Sequence, residues 1–334
     1  MKVVMTLTAR DEADIVDEQL AFHLAIGVDF VIAADNGSSD GTTEILEKYA
    51  RDGRLHRIEA PDPFLQIELV TEMARMAATH FEGDWVINSD ADEFWWPRSG
   101  ALKEILAAVP RRFGGVRGMW RNFAPRPDAA GSFAERMTVR SQKPVDELHP
   151  FNTHFKTVHR AAPDVEVGGG NHDVHGTGVT PLQAWYPIDV LHFPIRSFEQ
   201  FERKFMRHWE VTSVDGEATN PFYNRIRDAH REGRLRELYE SYVIDDHELA
   251  RGLADGTLVK DTRLRDALRS LRADTARLEL RDSEVDPGYL VEFGYIEDHT
   301  PFARAQRRID ALDARLSRFE RRIPVRLSRQ LMHR

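Results

Sequence analysis

The sequence predicts an α/β fold: a mostly parallel central sheet flanked by helices, with a helical C-terminal extension. Three observations carry this. Short apolar, β-rich runs alternate with stretches of helical periodicity from Lys2 to Asn88, as in successive βαβ units. Polar turns follow the strands, so they fall along one edge of a parallel sheet. From Asn220 onward the pattern becomes helical and polar.

Taken in order, Lys2 to Thr8 reads as the first strand, and Ala9-Arg10-Asp11-Glu12 as a loop and helix start. Asp14 to Ile26 carries Ile15, Leu20, Leu24 and Ile26 at broadly helical spacing, and Gly27 is a C-cap. Phe30 to Ala33 is a second buried strand, ending in the polar turn Asp35 to Thr42. Thr43 to Ala50 is a helix and Leu55 to Ile58 a strand. Gln66 to Thr79 is a helix with Leu69, Met73, Met76 and Ala77 inward. Trp85 to Asn88 is the fourth strand. Trp95, Trp96 and Pro97 are expected to end any regular element there. Further on, Gly114 to Trp120 reads as a strand running into a polar loop at Arg121-Asn122-Phe123. Phe155 to Arg160 and Val165 to Val167 are further strands, and Ser197 to His208 is a helix. Pro221 to Tyr242 and Leu264 to Leu280 read as exposed amphipathic helices.

The 334 residues allow one large domain with an appendage, or two domains. Hydrophobic content of 41% and charged content of 30% describe an ordinary globular chain. A net charge of −9 argues against general nucleic-acid binding. The absence of cysteine excludes disulfides, thiolate nucleophiles and cysteine zinc sites. It fits a reducing cytosol. The apolar run before Arg10-Asp11-Glu12 is too short for a signal peptide, and no stretch approaches transmembrane length.

The chain is organised around Ser89-Asp90-Ala91-Asp92-Glu93-Phe94. Two carboxylates spaced i, i+2 at the C-terminal edge of a strand sit where an α/β sheet places its ligands. Hard oxygen donors of this kind suit Mg²⁺ or Mn²⁺ bound jointly with substrate phosphates. A solvated turn capping the next element would use the same residues, and the preceding apolar strand favours the ligand role. No Gly-x-Gly-x-x-Gly follows the first strand, and no Gly-x-x-x-x-Gly-Lys-Ser/Thr occurs, which counts against dinucleotide and P-loop enzymes.

Three motifs taken together resemble glycosyltransferase family 2: Thr8-Ala9-Arg10-Asp11-Glu12, Asp35-Asn36-Gly37-Ser38-Ser39-Asp40-Gly41-Thr42, and Asp90-Ala91-Asp92-Glu93-Phe94. The last is similar to a branch whose metal motif reads Asp-x-Asp-Glu-Phe. Leu191-His192-Phe193-Pro194-Ile195-Arg196-Ser197 matches a later His-Tyr/Phe-x-x-Arg-Ser segment of that branch. The resemblance implies a GT-A fold, Rossmann-like, over residues 1–215. Residues 1–100 would be the nucleotide-binding half and 101–215 the acceptor half, followed by a helical region over 216–334. It implies a nucleotide-sugar donor, with a UDP-sugar expected, and Mn²⁺ or Mg²⁺ as cofactor. Asp90 and Asp92 would approach the metal on the donor diphosphate, Asp92 the more directly. Thr8, Arg10, Asp11, Asp35 and Asn36 would lie against the nucleoside, although the family more often has a second Asp at the position of Asn36. Asp40 fits a helix N-cap better than a ligand contact. Arg196 or Lys204 would touch the diphosphate.

The second focus is Gly168-Gly169-Gly170-Asn171-His172-Asp173-Val174-His175-Gly176. Neutral imidazole is a good Mn²⁺ ligand. Enzymes of the resembling fold often complete the metal site with a distant histidine, so His172 is expected as the third ligand, ahead of His175. An inverting transfer needs a base for the acceptor hydroxyl. Glu93, Asp173, Asp146 and Glu147 all qualify by type, and Glu93 and Asp173 are preferred. The stretch from Phe302 to Arg334 carries ten arginines and three acids, with Ile309, Leu312, Leu316, Phe319 and Ile323 as an apolar stripe. It fits a peripheral helix on an anionic membrane face, or a solvated terminal helix. Membrane contact would suit a cytoplasmic enzyme acting on a glycan, a lipid-linked acceptor or cell-envelope polysaccharide.

The expected function is transfer of a sugar to such an acceptor. A phosphoester hydrolase using Asp90, Asp92, His172 and His175 is the enzymatic rival. A nucleotidyltransferase would carry a glycine-rich loop where Thr8 to Glu12 stands. A glycan- or nucleotide-binding module without catalysis is the third reading.

Overall fold

The computed structural model describes residues 1–60, 66–98, 100–127, 131–142, 155–182, 185–214, 217–218, 221–273, 278 and 280. The chain divides into two units, Met1–Glu284 and Val285–Arg334. All described residues belong to the first. Asp146, Glu147 and the basic terminal stretch lie outside them.

The strands are β1 (Val3–Ala9), β2 (Phe30–Asp35), β3 (Leu55–Glu59), β4 (Trp85–Asp90), β5 (Glu93–Pro97), β6 (Gly115–Asn122), β7 (Val139–Ser141), β8 (Phe155–Arg160), β9 (Glu166–Val167), β10 (Val174–His175), β11 (Ile188–His192), β12 (Ser213–Val214), β13 (Glu217–Ala218) and β14 (Leu258–Lys260). The helices are α1 (Val16–Ile26), α2 (Thr42–Arg51), α3 (Gln66–Thr79), α4 (Leu102–Ala108), α5 (Phe133–Arg136), α6 (Phe198–Thr212), α7 (Pro221–Arg231), α8 (Leu235–Glu240), α9 (Asp246–Asp255) and α10 (Arg263–Arg272). The eight-stranded sheet has the order β3-β2-β1-β4-β8-β6-β11-β5. Its first four strands are parallel, and beyond β4 the sheet is mixed, with only β6 and β11 paired in parallel.

Alternation along the parallel strands builds two cores, because successive side chains of a strand point to opposite faces. Val3, Met5, Leu7 of β1, Val31 and Ala33 of β2 and Ile87 of β4 share one cluster with Leu20 and Phe22 of α1 and Leu264 of α10. Val4, Ile32, Ala34 and Val86 point the other way, onto Leu69, Val70, Met73 and Ala77 of α3. A third cluster joins α6, α7 and α8 through Phe201, Phe205, Phe222, Ile226 and Leu238.

Three expectations change. Trp95, Trp96 and Pro97 belong to β5 and pair antiparallel with β11. Pro97 is tolerated because β5 closes the strand order and has no further neighbour to donate to. Arg121 and Asn122 are buried strand residues and not a polar loop. Arg121 Nε donates to Asp189 of β11 at 3.1 Å, which satisfies its charge inside the sheet. The single helix expected from Pro221 to Tyr242 is two, broken at Gly233, whose φ of 70° is left-handed.

Two residues separate β4 from β5, yet β8, β6 and β11 lie between them in the strand order. The sheet therefore curls, and the last strand returns to the end of β4. Phe94 anchors this return. It is fully buried and meets Phe22 edge-on at 5.6 Å and Phe193 at 5.7 Å. Among the described residues no helix is long and apolar enough to cross a membrane. Replacing Phe94 by alanine is expected to cost about 3–5 kcal/mol in urea unfolding. A change within about 0.5 kcal/mol, the range of ordinary surface substitutions, would place Phe94 outside the core.

Candidate active site

Strand register brings the candidate turns together. Ala9 pairs with Asp35 and Thr8 with Asp90, so the ends of β1, β2 and β4 lie side by side at the C-terminal edge of the parallel strands. The turn after β1 is shaped by Asp11, whose φ of 51° is left-handed, a region that Asp tolerates better than most residues. Its carboxylate accepts from the Ser39 amide at 2.7 Å, and its own amide donates to Ser38 Oγ at 3.0 Å. The first and second turns are thus stitched to each other.

Asp35 is buried and accepts from Ser38 N at 3.0 Å and Thr43 Oγ1 at 2.5 Å, which spends both oxygens within its own turn. Asn36 is half-buried, and its amide donates to Ala9 O at 3.0 Å. Thr8 and Arg10 are half-buried at the same edge. Asp40 accepts from the Thr42 amide at 3.0 Å and from Ala13 N at 3.0 Å, but the N-cap position of α2 is Gly41 and not Asp40, which lies one residue earlier. Arg75 donates to Val165 O at 2.8 Å and so braces β9.

The centre is a group of carboxylates, each held by a cation. Asp90 accepts from Lys156 Nζ of β8 at 2.7 Å and from Asn171 Nδ2 at 3.1 Å, and its side chain is 29% exposed. Asn171 reaches it from a tight turn in which Gly170 (φ 64°) and Asn171 (φ 60°) are both left-handed. Glu93 is fully buried. It receives Lys156 Nζ at 2.5 Å, Trp120 Nε1 at 3.2 Å and the Asp90 amide at 3.2 Å. Burial, aided by Asp90 and Asp92, pushes its carboxyl up to about 8 against the pull of Lys156. Burial also disfavours charge on Lys156, but the two carboxylates outweigh it and hold the ammonium protonated.

Asp92 is buried and takes Lys204 Nζ of α6 at 2.5 Å. Burial opposes its ionisation. Lys204, then His192 and Arg196, nevertheless hold its carboxyl well below the ordinary range. His192 Nε2 lies 3.5 Å from the same oxygen, and Nδ1 lies 2.6 Å from Asn122 Oδ1. The ring stacks on Trp120 at 4.3 Å. Lys204 is also 3.5 Å from Glu12. Arg196, buried beneath, pairs with Glu12, donates to both oxygens of Asp14 at 2.7 and 2.9 Å, and donates to Phe193 O at 3.0 Å. It clamps the first turn to the segment after β11. Its guanidinium is engaged by protein groups at the place where diphosphate contact was expected.

His172 sits edge-on to Trp120 at 5.2 Å, with Nδ1 3.3 Å from Phe155 O. Burial, then Lys156, lowers its pKa to about 4, so the ring is neutral near pH 7. Asp173 is exposed on the following residue, and His175 lines a separate cleft with Ile67, Thr71 and Arg75. Among the described residues, no three His, Asp or Glu side chains converge as a preformed metal site. Asp90, Asp92 and His172 are thus neighbours of one centre but not an assembled ligand set, and the hydrolase set that adds His175 is not assembled either.

The donor chemistry nonetheless fits a divalent cation shared with phosphates. Such ions are held by one or two carboxylates and substrate oxygens in preference to closed protein cages. Five carboxylates (Glu12, Asp14, Asp90, Asp92 and Glu93) face three cations (Lys156, Arg196 and Lys204), so the acids of the centre outnumber its bases by two. Asp90 and Asp92 are the residues that would hold the ion. Sequence reasoning did not assign roles to Asn171, Trp120 or Asn122. Asn171 carried a signal, since an Asn after three glycines is suited to a left-handed turn. Trp120 and Asn122 carried none, because only the β6–β11 pairing brings them to His192.

No curated protein matches this sequence. Among solved structures, that of S. aureus TarS is 15% identical over 70% of this chain and 43% of its own, with a TM-score of 0.34. This chain therefore spans under half the length of that TarS chain. S. aureus TarS 1-349 in complex with UDP-GlcNAc is 14% identical, over 90% of this chain and 93% of its own, with a TM-score of 0.36. Glucosyl-3-phosphoglycerate synthase from Mycobacterium tuberculosis, in complex with Mn²⁺, UDP-glucose and phosphoglyceric acid, is 22% identical over 36% of this chain and 44% of its own, with a TM-score of 0.26. At these TM-scores the likenesses carry no functional argument. The motif resemblance pointed to family 2, whereas the matching family model is that of glycosyltransferase family 92. It covers residues 5–160, the stretch that holds β2, β3 and β4 and all five carboxylates of the centre.

Proposed function

We propose that this chain transfers a sugar from a nucleoside-diphosphate donor, a UDP-sugar by its motif resemblance, to a glycan or lipid-linked glycan, with a divalent cation at Asp90 and Asp92. The observation that carries the reading is the acid-rich, lysine-buttressed centre at the edge where β1, β2 and β4 end. A diphosphate does not enter an acid-rich, largely buried site without added countercharge. The family match over residues 5–160 supports the same chemistry.

When bound, Mn²⁺ or Mg²⁺ supplies Lewis-acid neutralisation of the leaving diphosphate. The turns at Thr8 to Asp11 and at Asp35-Asn36 cradle the nucleoside in this reading, with the Asp11–Ser39 bond fixing their spacing. A general base must reach the acceptor hydroxyl. Glu93 is enclosed and occupied by Lys156 and Trp120, whereas Asp173 is exposed two residues from Asn171. The reading therefore gives the base to Asp173 and leaves Glu93 to position Lys156. Asp173 takes the hydroxyl proton as the acceptor oxygen bonds to the anomeric carbon. The bond from that carbon to the diphosphate oxygen breaks, and its electron pair leaves with the diphosphate, inverting the centre.

Calorimetric titration of UDP, GDP, TDP and CDP, each with and without Mn²⁺, tests the donor class. One nucleotide should bind in a metal-dependent way and lose its affinity in Asp92→Ala. No binding of any nucleotide under either condition would sink the reading. Asp173→Asn is expected to lower kcat by about 10²–10⁴-fold with folding unchanged, and unaltered turnover would take the base role from it. Glu93 offers a test through pH. Its carboxyl titrates near 8 in the folded chain against an ordinary 4.5. Between those values the folded chain keeps a proton that the unfolded chain has released. Its stabilising contribution is therefore full below the lower value and is lost as pH rises through about 8. Wild-type stability relative to Glu93→Gln should fall across that window in matched thermal unfolding. A flat or rising difference contradicts the burial argument.

A further inference from the structure

The two lysines of the centre are not equivalent. Lys156 is 1% exposed and wedged between Asp90 at 2.7 Å and Glu93 at 2.5 Å, with its chain inside the sheet on β8. Lys204 projects from α6 and remains 32% exposed while its ammonium sits 2.5 Å from Asp92 Oδ2, and its second acid, Glu12, is farther, at 3.5 Å. Glu12 is itself satisfied by Arg196. One ammonium is thus held within the sheet, and the other is carried from α6 on a partly exposed side chain.

We infer that Lys204 is the resident counter-ion of Asp92 and that it couples cation binding to nucleotide binding. Before nucleotide arrives, Lys204 occupies the Asp92 oxygen that a divalent cation needs, so the cation alone binds weakly. A nucleoside diphosphate offers the ammonium another anionic partner, and Asp92 is released to the cation. Each ligand then raises the affinity of the other by the same factor, as linkage requires. Lys204 is a positioning residue in this account, because it acts through Asp92. The inference rests on the proposed donor chemistry only for its nucleotide half. The competition between ammonium and cation at Asp92 stands without it.

The test is Mn²⁺ binding, read from the electron paramagnetic resonance signal of free Mn²⁺, with and without saturating UDP and corrected for Mn²⁺ held by free UDP. In the wild type, UDP should tighten Mn²⁺ binding by a factor in the range of roughly 5- to 150-fold. In Lys204→Gln, Mn²⁺ alone should bind several-fold tighter than in the wild type, and the further gain from UDP should collapse towards one. Lys204→Arg keeps the charge and should retain weak binding of Mn²⁺ alone. Circular dichroism reports folding. If the glutamine variant does not fold, Lys204→Met, which keeps most of the apolar stem, carries the same expectation. Equal Mn²⁺ affinity in the wild type and the neutral variants without nucleotide, including none in either, overturns the inference. If UDP changes nothing while the neutral variant still binds Mn²⁺ more tightly, the competition stands and the nucleotide reading fails on its own.

Discussion

Charge compensation at the end of β4 is the constraint on which the rest of the centre depends. Asp92 and Glu93 are buried side by side, with Glu12 close by. A buried charge without a partner costs several kcal/mol, and removing one partner of a buried pair is strongly destabilising. The three cations that make the arrangement tolerable come from distant parts of the chain: Lys156 from β8, Arg196 from the segment after β11, and Lys204 from α6. The acids are therefore local to the first 93 residues, and the bases are not. Strand β8, the segment after β11 and α6 are needed to complete a centre whose acids β4, β5 and the first turn already hold.

The curl of the sheet delivers those bases. β8 enters antiparallel between β4 and β6 and sets Lys156 against Asp90. β11 runs between β6 and β5, so His192 lies opposite Asn122 on one side and Glu93 on the other. Trp120 then bridges the layers, donating to Glu93 while stacking on His192. A rigid aromatic and sheet framework around ionised groups limits their reorganisation, which is how a preorganised site stabilises developing charge. Of the three left-handed non-glycine residues among the described ones, Asp11, Glu82 and Asn171, two (Asp11 and Asn171) belong to the turns that border this centre. Backbone conformations of this cost persist where the surroundings over-determine them. Here the Asp11–Ser39 and Asn171–Asp90 bonds supply that determination.

Much of the parallel half was legible because its signals are local. Apolar alternation, a glycine after α1 and polar turns after strands mark β1 to β4 to within about two residues, the usual uncertainty of element ends. The Asp pair was legible for the same reason, since chemistry and turn position coincide in six consecutive residues. β5 was not, because Trp95-Trp96-Pro97 reads locally as a stop and becomes a strand only by pairing with β11. Arg121 was misread because a charged residue looks exposed until Asp189 appears 3.1 Å away on the neighbouring strand. His172 looked like a ligand because a histidine beside glycines suits one. Its edge-on packing against Trp120 was not legible, being a contact between residues 52 positions apart in sequence.

The fate of the Leu191 to Ser197 segment shows why a motif can be right in place and differ in role. His192 was read only as part of the motif and Arg196 as a diphosphate contact, and both lie beside the acidic centre. His192 faces Asp92, with Nε2 3.5 Å from its Oδ2. Arg196 points into the protein, onto Glu12, Asp14 and the Phe193 carbonyl, and is 1% exposed. A guanidinium with that many fixed acceptors has little left to offer a phosphate, and its planar fork is well matched to joining two acids and a carbonyl at once. Its work is to hold the first turn, and with it the Asp11–Ser39 stitch, against the start of α6. Lys204 stands on α6, so the same clamp that fixes the first turn also fixes the start of the helix that carries this ammonium. Loss of Arg196 would then disturb two sides of the centre at once.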